Sequence, residues 1–435
     1  MDFGNNNKMF LYLSLSDKAA NMEYMYDLKE SIDEDILKGA VADALKAFPF
    51  FRLRPYISAE GRLAACDNAA KVPVHKADGK KVRLGTKDTN GYLFRVTYLD
   101  NRITVIASHG IGDGRGISSF AQTVVYYYFT AKGYSIDTQG LIYTIEDAGD
   151  PAIRDILTEK VKSIDFKREG AATPENIEFF SPPDAKVYFG TPDTRQFRII
   201  WEQDKFIKTV KSMGGTPLVF VHTIIAKAMY RYYNLTDENI IANVPVDLRE
   251  RLKSRAQSNF TTNVNLVITP EDLKMDMSSL MSLLRDRLKA ATDLDKMLND
   301  IANFSFIYDY LDQITFEDET GLNAFAEQIT KKPPVRTYLL SNIGAVKLPG
   351  DMVPLVDNVD ISFTNLESTP VFTLLTYENR GTLIIGQNYE DNGFIRVLQD
   401  VFDEHGVKTT LSDCGLIRSD AVNIMDFERQ ERLND

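Results

Sequence analysis

Apolar residues at Ile36, Leu37, Ala40, Val41, Ala44 and Leu45 recur at the spacing of one helix face, with Ser31 as a capping residue and Pro49 as a stop. This predicts an amphipathic helix. Two runs rich in β-branched and aromatic residues, Tyr92 to Leu99 and Ile103 to Ser108, are joined by Asp100-Asn101-Arg102 and predict a β-hairpin. Positions 109 to 116 then read His-Gly-Ile-Gly-Asp-Gly-Arg-Gly, after which Ile117, Phe120, Val124, Val125 and Tyr128 resume a helical period. From Phe166 to Thr194 periodicity fades, and prolines 174, 182, 183 and 192 mark a crossover segment. Beyond it, strands are predicted at Gln196 to Trp201, Ile240 to Val246, Thr262 to Ile268, Thr337 to Ser341, Val371 to Tyr377 and Thr382 to Gln387. Helices are predicted from Pro217, capped by Thr216, to Met229, and within Leu280 to Ala291 and Leu322 to Ile329. The polar stretch Asp426 to Asp435 predicts a frayed end. Strands and helices are mixed in both halves. The pattern predicts an α+β or α/β sandwich in two lobes of similar size, not a regular doubly wound sheet.

The 435 residues allow two or three domains, or two halves of one large fold. Hydrophobic residues at 44% and charged residues at 26% exclude collagenous, coiled-coil and wholly disordered chains. With 62 acidic against 50 basic side chains the formal charge is -12, which disfavours a chain built to neutralise nucleic-acid phosphates. The two cysteines, Cys66 and Cys414, lie far apart; they offer neither a disulfide framework nor a zinc site and fit a reducing compartment. The apolar stretch Met9 to Leu15 is short and lacks a cleavage site, so no signal peptide is expected. Leu218 to Met229 is interrupted by His222 and Lys227 and falls below the ~20 residues of a bilayer span. A soluble, cytoplasmic protein is expected.

Four histidines can be weighed for chemistry. His75 follows Val-Pro-Val, His222 sits in an apolar helix and His405 lies in an Asp-Glu-His-Gly turn, so each reads as structural or solvated. His109 ends a strand and precedes Asp113 among glycines at 110, 112, 114 and 116, which strip the turn of bulk. A neutral imidazole, titrating near pH ~6.5, can accept a proton from a hydroxyl, amine or thiol, and His109 is therefore a candidate general base. The alternative is a glycine-rich turn with a hydrogen-bonded histidine. The glycines match neither GxGxxG nor a P-loop, a metal would need a third ligand, and there is no GxSxG elbow. A base without its own nucleophile implies that the substrate brings the attacking group.

Ser108-His109-Gly110-Ile111-Gly112-Asp113-Gly114 resembles the HHxxxDG motif of the CoA-dependent acyltransferase superfamily, which includes chloramphenicol acetyltransferase, alcohol acetyltransferases and nonribosomal peptide condensation domains. Phe48 to Arg54 resembles the family's hP-LR segment, and Asn243-Val244-Pro245-Val246-Asp247-Leu248-Arg249 its P-V-x-x-R strand end. Ser258 to Asn263 resembles G-N-F-x-N, and Ser341-Asn342-Ile343-Gly344 resembles S-N-x-G. The likeness spans nearly the whole chain. Ser108 stands where the family has the first motif histidine, and the plant branch's DFGWG is absent, which points to the bacterial alcohol-acetyltransferase-like or condensation-like branches.

The resemblance implies two chloramphenicol-acetyltransferase-like lobes, residues 1 to 165 and 195 to 435 joined by 166 to 194, forming a pseudo-dimer with a central tunnel past the histidine. It implies acyl transfer from acyl-CoA, as co-substrate, to a hydroxyl or amine, with no metal and no tightly bound cofactor. His109 would be the base, within a motif completed by Asp113 and Gly114, and Asp113 would pair structurally with Arg249. Thr262, Asn263 and Ser341 are candidates for binding the oxyanion, against ordinary strand-end hydrogen bonding. Lys331, Lys332 and Arg336 are a candidate anchor for CoA, against a solvated helix end. A small, largely apolar alcohol or amine is the expected acceptor, since 25 Phe and 20 Tyr are available to line an interior. Two alternatives remain: condensation with substrates on a carrier protein acting in trans, or a member of the fold that only binds ligand or carrier.

Overall fold

In the computed structural model, which describes residues 5–15, 20–150, 157, 160, 177–182, 193–303, 305–330, 335–365, 369–418 and 420–424, the hairpin joins Phe94–Leu99 to Arg102–Ser108. Phe94 faces Ala107, Leu99 faces Arg102, and Asp100 turns the chain at φ 52°. The hairpin sits inside a five-stranded sheet ordered Val356–Phe363, Asn21–Leu28, Arg102–Ser108, Phe94–Leu99, Val74–Lys76. Buried Tyr24, Tyr26 and Leu28 alternate along Asn21–Leu28 and face the core, where the helices Glu34–Ala47 and Gly114–Ala131 pack together. A second sheet has seven strands, ordered Thr261–Ile268, Ile240–Asp247, Tyr338–Ala345, Val371–Tyr377, Arg380–Gln387, Thr194–Glu202, Thr409–Ile417. The helices Pro217–Tyr233 and Gly393–Glu404 pack on each other beside it. The result is a mixed α/β molecule with two large sheets, each over its own hydrophobic core.

The cores do not follow chain order. Val359 and Ile361, from the strand Val356–Phe363, and Leu322 and Ala326, from the helix Glu319–Thr330, join the first core with Tyr24, Val105 and Phe120. Near the end of the described chain Ala421 pairs with Arg83, again on the N-terminal side. Val356–Phe363 escapes a hydrophobic-pattern reading because Asp357, Asn358 and Asp360 interrupt it. Those polar groups are used: Asp360 pairs with Arg198 at 2.8 Å, and Asn358 donates to Asp27.

Three local readings change. The first long helix is capped by Asp33, not Ser31: the Asp33 carboxylate accepts from the N–H groups of Asp35 and Ile36, both at 3.0 Å. Thr216 has the extended backbone of a cap but its hydroxyl makes no capping bond, leaving Pro217 to open the helix. Asn5–Ser14, read only as a short apolar stretch from Met9, is a helix packed against Ser305–Gln313 and Glu319–Thr330. Lys331, Lys332, most of the crossover segment and the residues after 424 lie outside the described residues. No helix among the described residues is long and apolar enough to cross a membrane.

Candidate active site

The strand Arg102–Ser108 ends at the candidate motif. His109 N–H donates to the Ala20 carbonyl at 2.7 Å, which extends the strand's pairing by one residue. Fully buried Ser108 then closes the turn, its hydroxyl accepting from Gly110 N–H at 3.1 Å and its carbonyl from Ile111 N–H at 3.1 Å. Asp113 ends the loop as N-cap of the helix Gly114–Ala131, one oxygen accepting from Gly116 N–H at 2.9 Å.

Asp113 also faces the second lobe. Arg249 grips both its oxygens, Nη1 to Oδ2 at 2.8 Å and Nη2 to Oδ1 at 2.9 Å, and Phe260 N–H donates to Oδ2 at 2.8 Å. Arg249 donates further to the carbonyls of Ala256 at 2.6 Å and Ser258 at 2.7 Å, so one guanidinium ties the motif loop to the whole 256–260 segment. Burial alone would raise the Asp113 carboxyl, but Arg249 and the two backbone donors hold it below the usual carboxylate range. A second pair, Arg115 to Asp247 at 3.2 Å, lies alongside. The glycines make this approach possible: a Cβ on Gly116 would stand 2.2 Å from the Gln257 carbonyl oxygen, and one on Gly114 would stand 2.6 Å from Ile343 Cδ1.

The His109 side chain is partly buried. Its Nδ1 is buried with no partner in hydrogen-bonding geometry among the described residues. Burial lowers its proton affinity below the usual histidine value, opposed by its own backbone carbonyl, Asp113 and Asn259. Asn259 donates from Nδ2 to the His109 carbonyl at 2.7 Å and to Asn7 Oδ1 at 2.6 Å. Phe10 stacks on the imidazole with ring centroids 4.1 Å apart and planes 10° from parallel. The site therefore draws on the N-terminal helix, the motif loop and the second lobe.

No family model matches the sequence, and no curated protein matches it either. Solved structures do. TRI3 trichothecene 15-O-acetyltransferase from Fusarium sporotrichioides superposes with a TM-score of 0.59, covering 92% of this chain and 93% of its own at 13% identity. F. sporotrichioides TRI101, solved with coenzyme A and T-2, gives 0.58 over 94% of this chain and 99% of its own at 11% identity. The epimerization domain from the third module of tyrocidine synthetase B gives 0.56 over 92% and 94% at 12% identity. This chain shares its fold with TRI3, TRI101 and the epimerization domain. At these identities the likeness is one of fold, and the chemistry has to be argued from this chain's residues.

Within that fold, the structure brings His109, Asp113, Gly114 and Arg249 together at the junction of the lobes. The three oxyanion candidates are less engaged. Thr262 and Asn263 follow Phe260 on the edge strand Thr261–Ile268, with Asn263 exposed, and Ser341 lies two residues before Ile343, the residue that meets Gly114. None of the three makes a side-chain hydrogen bond among the described residues. Arg336 is half-buried at the end of a segment outside the described residues. The sequence reading missed two contributors, Asn259 and Phe10. Asn259 carried a signal, as the Asn of the G-N-F-x-N-like segment; Phe10 carried none, because it belongs to a helix too short and mixed to stand out.

Proposed function

We propose that this protein is an acyltransferase that moves an acyl group from a CoA thioester to a hydroxyl or amine, with His109 as general base. The observation that carries the reading is a partly buried imidazole, its proton affinity lowered by its surroundings, at the end of a loop fastened to both lobes. Nδ1 is enclosed, so Nε2 is the nitrogen that takes the proton. The acceptor's O–H or N–H gives its proton to Nε2 as its lone pair attacks the thioester carbonyl. A C–O or C–N bond forms, the C–S bond breaks, and the imidazolium returns the proton to the thiolate. Asp113 takes no part in proton transfer: its oxygens are spent on Arg249, Gly116 and Phe260, and its role is to set the loop. Thr262 and Asn263, near the start of Thr261–Ile268 and on opposite faces of it, and Ser341, within Tyr338–Ala345, are the candidates from which an oxyanion donor would come.

Thiol release from acetyl-CoA across a panel of alcohols and amines tests the reading. His109→Ala should lower turnover by roughly 10²- to 10⁴-fold with an unchanged fold, while Ser108→Ala keeps substantial activity. A His109→Ala protein with near-normal turnover rules the base out. Release only from an acyl group loaded on a carrier protein would move the chain to condensation chemistry, and no release from either donor would leave a binding protein.

A further inference from the structure

The helix Asn5–Ser14 is fixed to the molecule independently of Phe10. Leu11, Tyr12 and Leu15 are fully buried, and Tyr12 lies between Phe316 and Phe325. Lys8 pairs with Asp312 at 2.7 Å, and Asn7 Oδ1 accepts two hydrogen bonds from Asn259, at 2.9 and 2.6 Å. Leu11 also fills the space where a side chain on Gly110 would go, with its Cα 3.0 Å from that position. Phe10 stands apart from this anchoring: it is half-buried, and its ring contact is with His109.

We propose that Phe10 is a positioning residue of the active site, whose stacked ring fixes the plane of the His109 imidazole and shields one face of it. This rests on His109 being the reacting base. An imidazole has two faces and two ring nitrogens. Phe10 covers one face and Nδ1 is enclosed, so the ring can meet an acceptor through Nε2 in one orientation. A stacked phenyl also keeps water from one face of the ring; this desolvation disfavours the imidazolium and, at a partly buried ring, outweighs the attraction of the phenyl face for a cation. The charged group acting on the ring is Asp113, from its own loop, and it is matched by Arg249 from the second lobe; on the N-terminal helix that carries Phe10, Lys8 is engaged by Asp312.

The test uses the full chain and does not depend on knowing the acceptor. The His109 imidazole is titrated by NMR, its resonance assigned by loss in His109→Gln, and its rate of ethoxyformylation by diethyl pyrocarbonate is followed in parallel. In Phe10→Ala the titration should move up towards the ordinary histidine value and modification should accelerate. Phe10→Leu, smaller and unable to stack, should shift in the same direction by less, and covers the case in which the alanine variant fails to fold. Phe10→Tyr should restore the parent behaviour. Where turnover is measurable, Phe10→Ala should lower kcat about tenfold with little change in KM, and move the acid limb of the rate profile to higher pH. Folded Phe10→Ala and Phe10→Leu proteins with the parent titration and modification rate overturn the proposal. A shifted titration without thiol release from any donor leaves the positioning role standing and removes the acyltransferase reading.

Discussion

Asp113 and Arg249 are both about 95% buried or more, and every polar atom of the pair has a defined partner in the motif loop or the 256–260 segment. Removing one member strands the other charge. Asp113→Ala should therefore cost roughly 3–5 kcal/mol, measured by denaturant unfolding, together with a large loss of turnover. Arg249→Lys keeps a positive charge but loses the fork and the links to Ala256 and Ser258, at a cost on the order of 2 kcal/mol. An unchanged unfolding midpoint in both variants would mean that the pair holds nothing. This partnership was legible from the sequence through the resemblance, because it joins two short motifs. His222 was legible for a different reason, its place in an apolar helix. It is fully buried, bonds the Tyr338 hydroxyl at 2.9 Å and has its proton affinity pushed down to about 3 by burial. Phe10 and Asn7 were not legible. Their roles come from where a separate helix docks, and no local spacing records that.

At the scale of elements, strands with an unbroken apolar or alternating pattern were readable to within a few residues, as in Val371–Tyr377 and Ile240–Asp247. Those that carry charge into an inter-sheet region, such as Val356–Phe363, were not, since tertiary ion pairs override the local preference against Asp and Asn. The loop-helix element Ser108 to Ala131 shows how sequence and packing meet. Its glycines are not needed for unusual backbone angles; 110, 112, 114 and 116 all have ordinary φ. They are needed because another segment lies against them. Gly116→Ala would drive a methyl into the backbone carbonyl of Gln257, whose side chain is itself tied to the Ala47 carbonyl at 2.8 Å. The expected cost is about 1–3 kcal/mol, with activity falling further than stability because the displaced segment carries Asn259 and Phe260. Thermal unfolding and a turnover assay check both parts; a variant as stable and active as the parent would mean that the 257–260 segment yields freely.

For the whole molecule, the two cores exchange material: Val356–Phe363 comes from the C-terminal half and pairs along Asn21–Leu28, from Met22 opposite Phe363 to Leu28 opposite Val356. If the chain is cut between residues 182 and 193, the two fragments should still elute as one particle under native conditions and separate in denaturant. Fragments that part in native buffer would contradict the interlocked arrangement. The exchange also bears on how molecules come and go. Two domains joined only by a linker can swing apart on a hinge, on microsecond to millisecond timescales. Here such a swing would tear the edge strand Val356–Phe363 from Asn21–Leu28 along its whole length and strip Arg249 from Asp113 at the same moment. If His109 serves as proposed, molecules would reach it by side chains and short loops yielding in place, at a pace set by local breathing of the chain and not by a gate formed by the two halves.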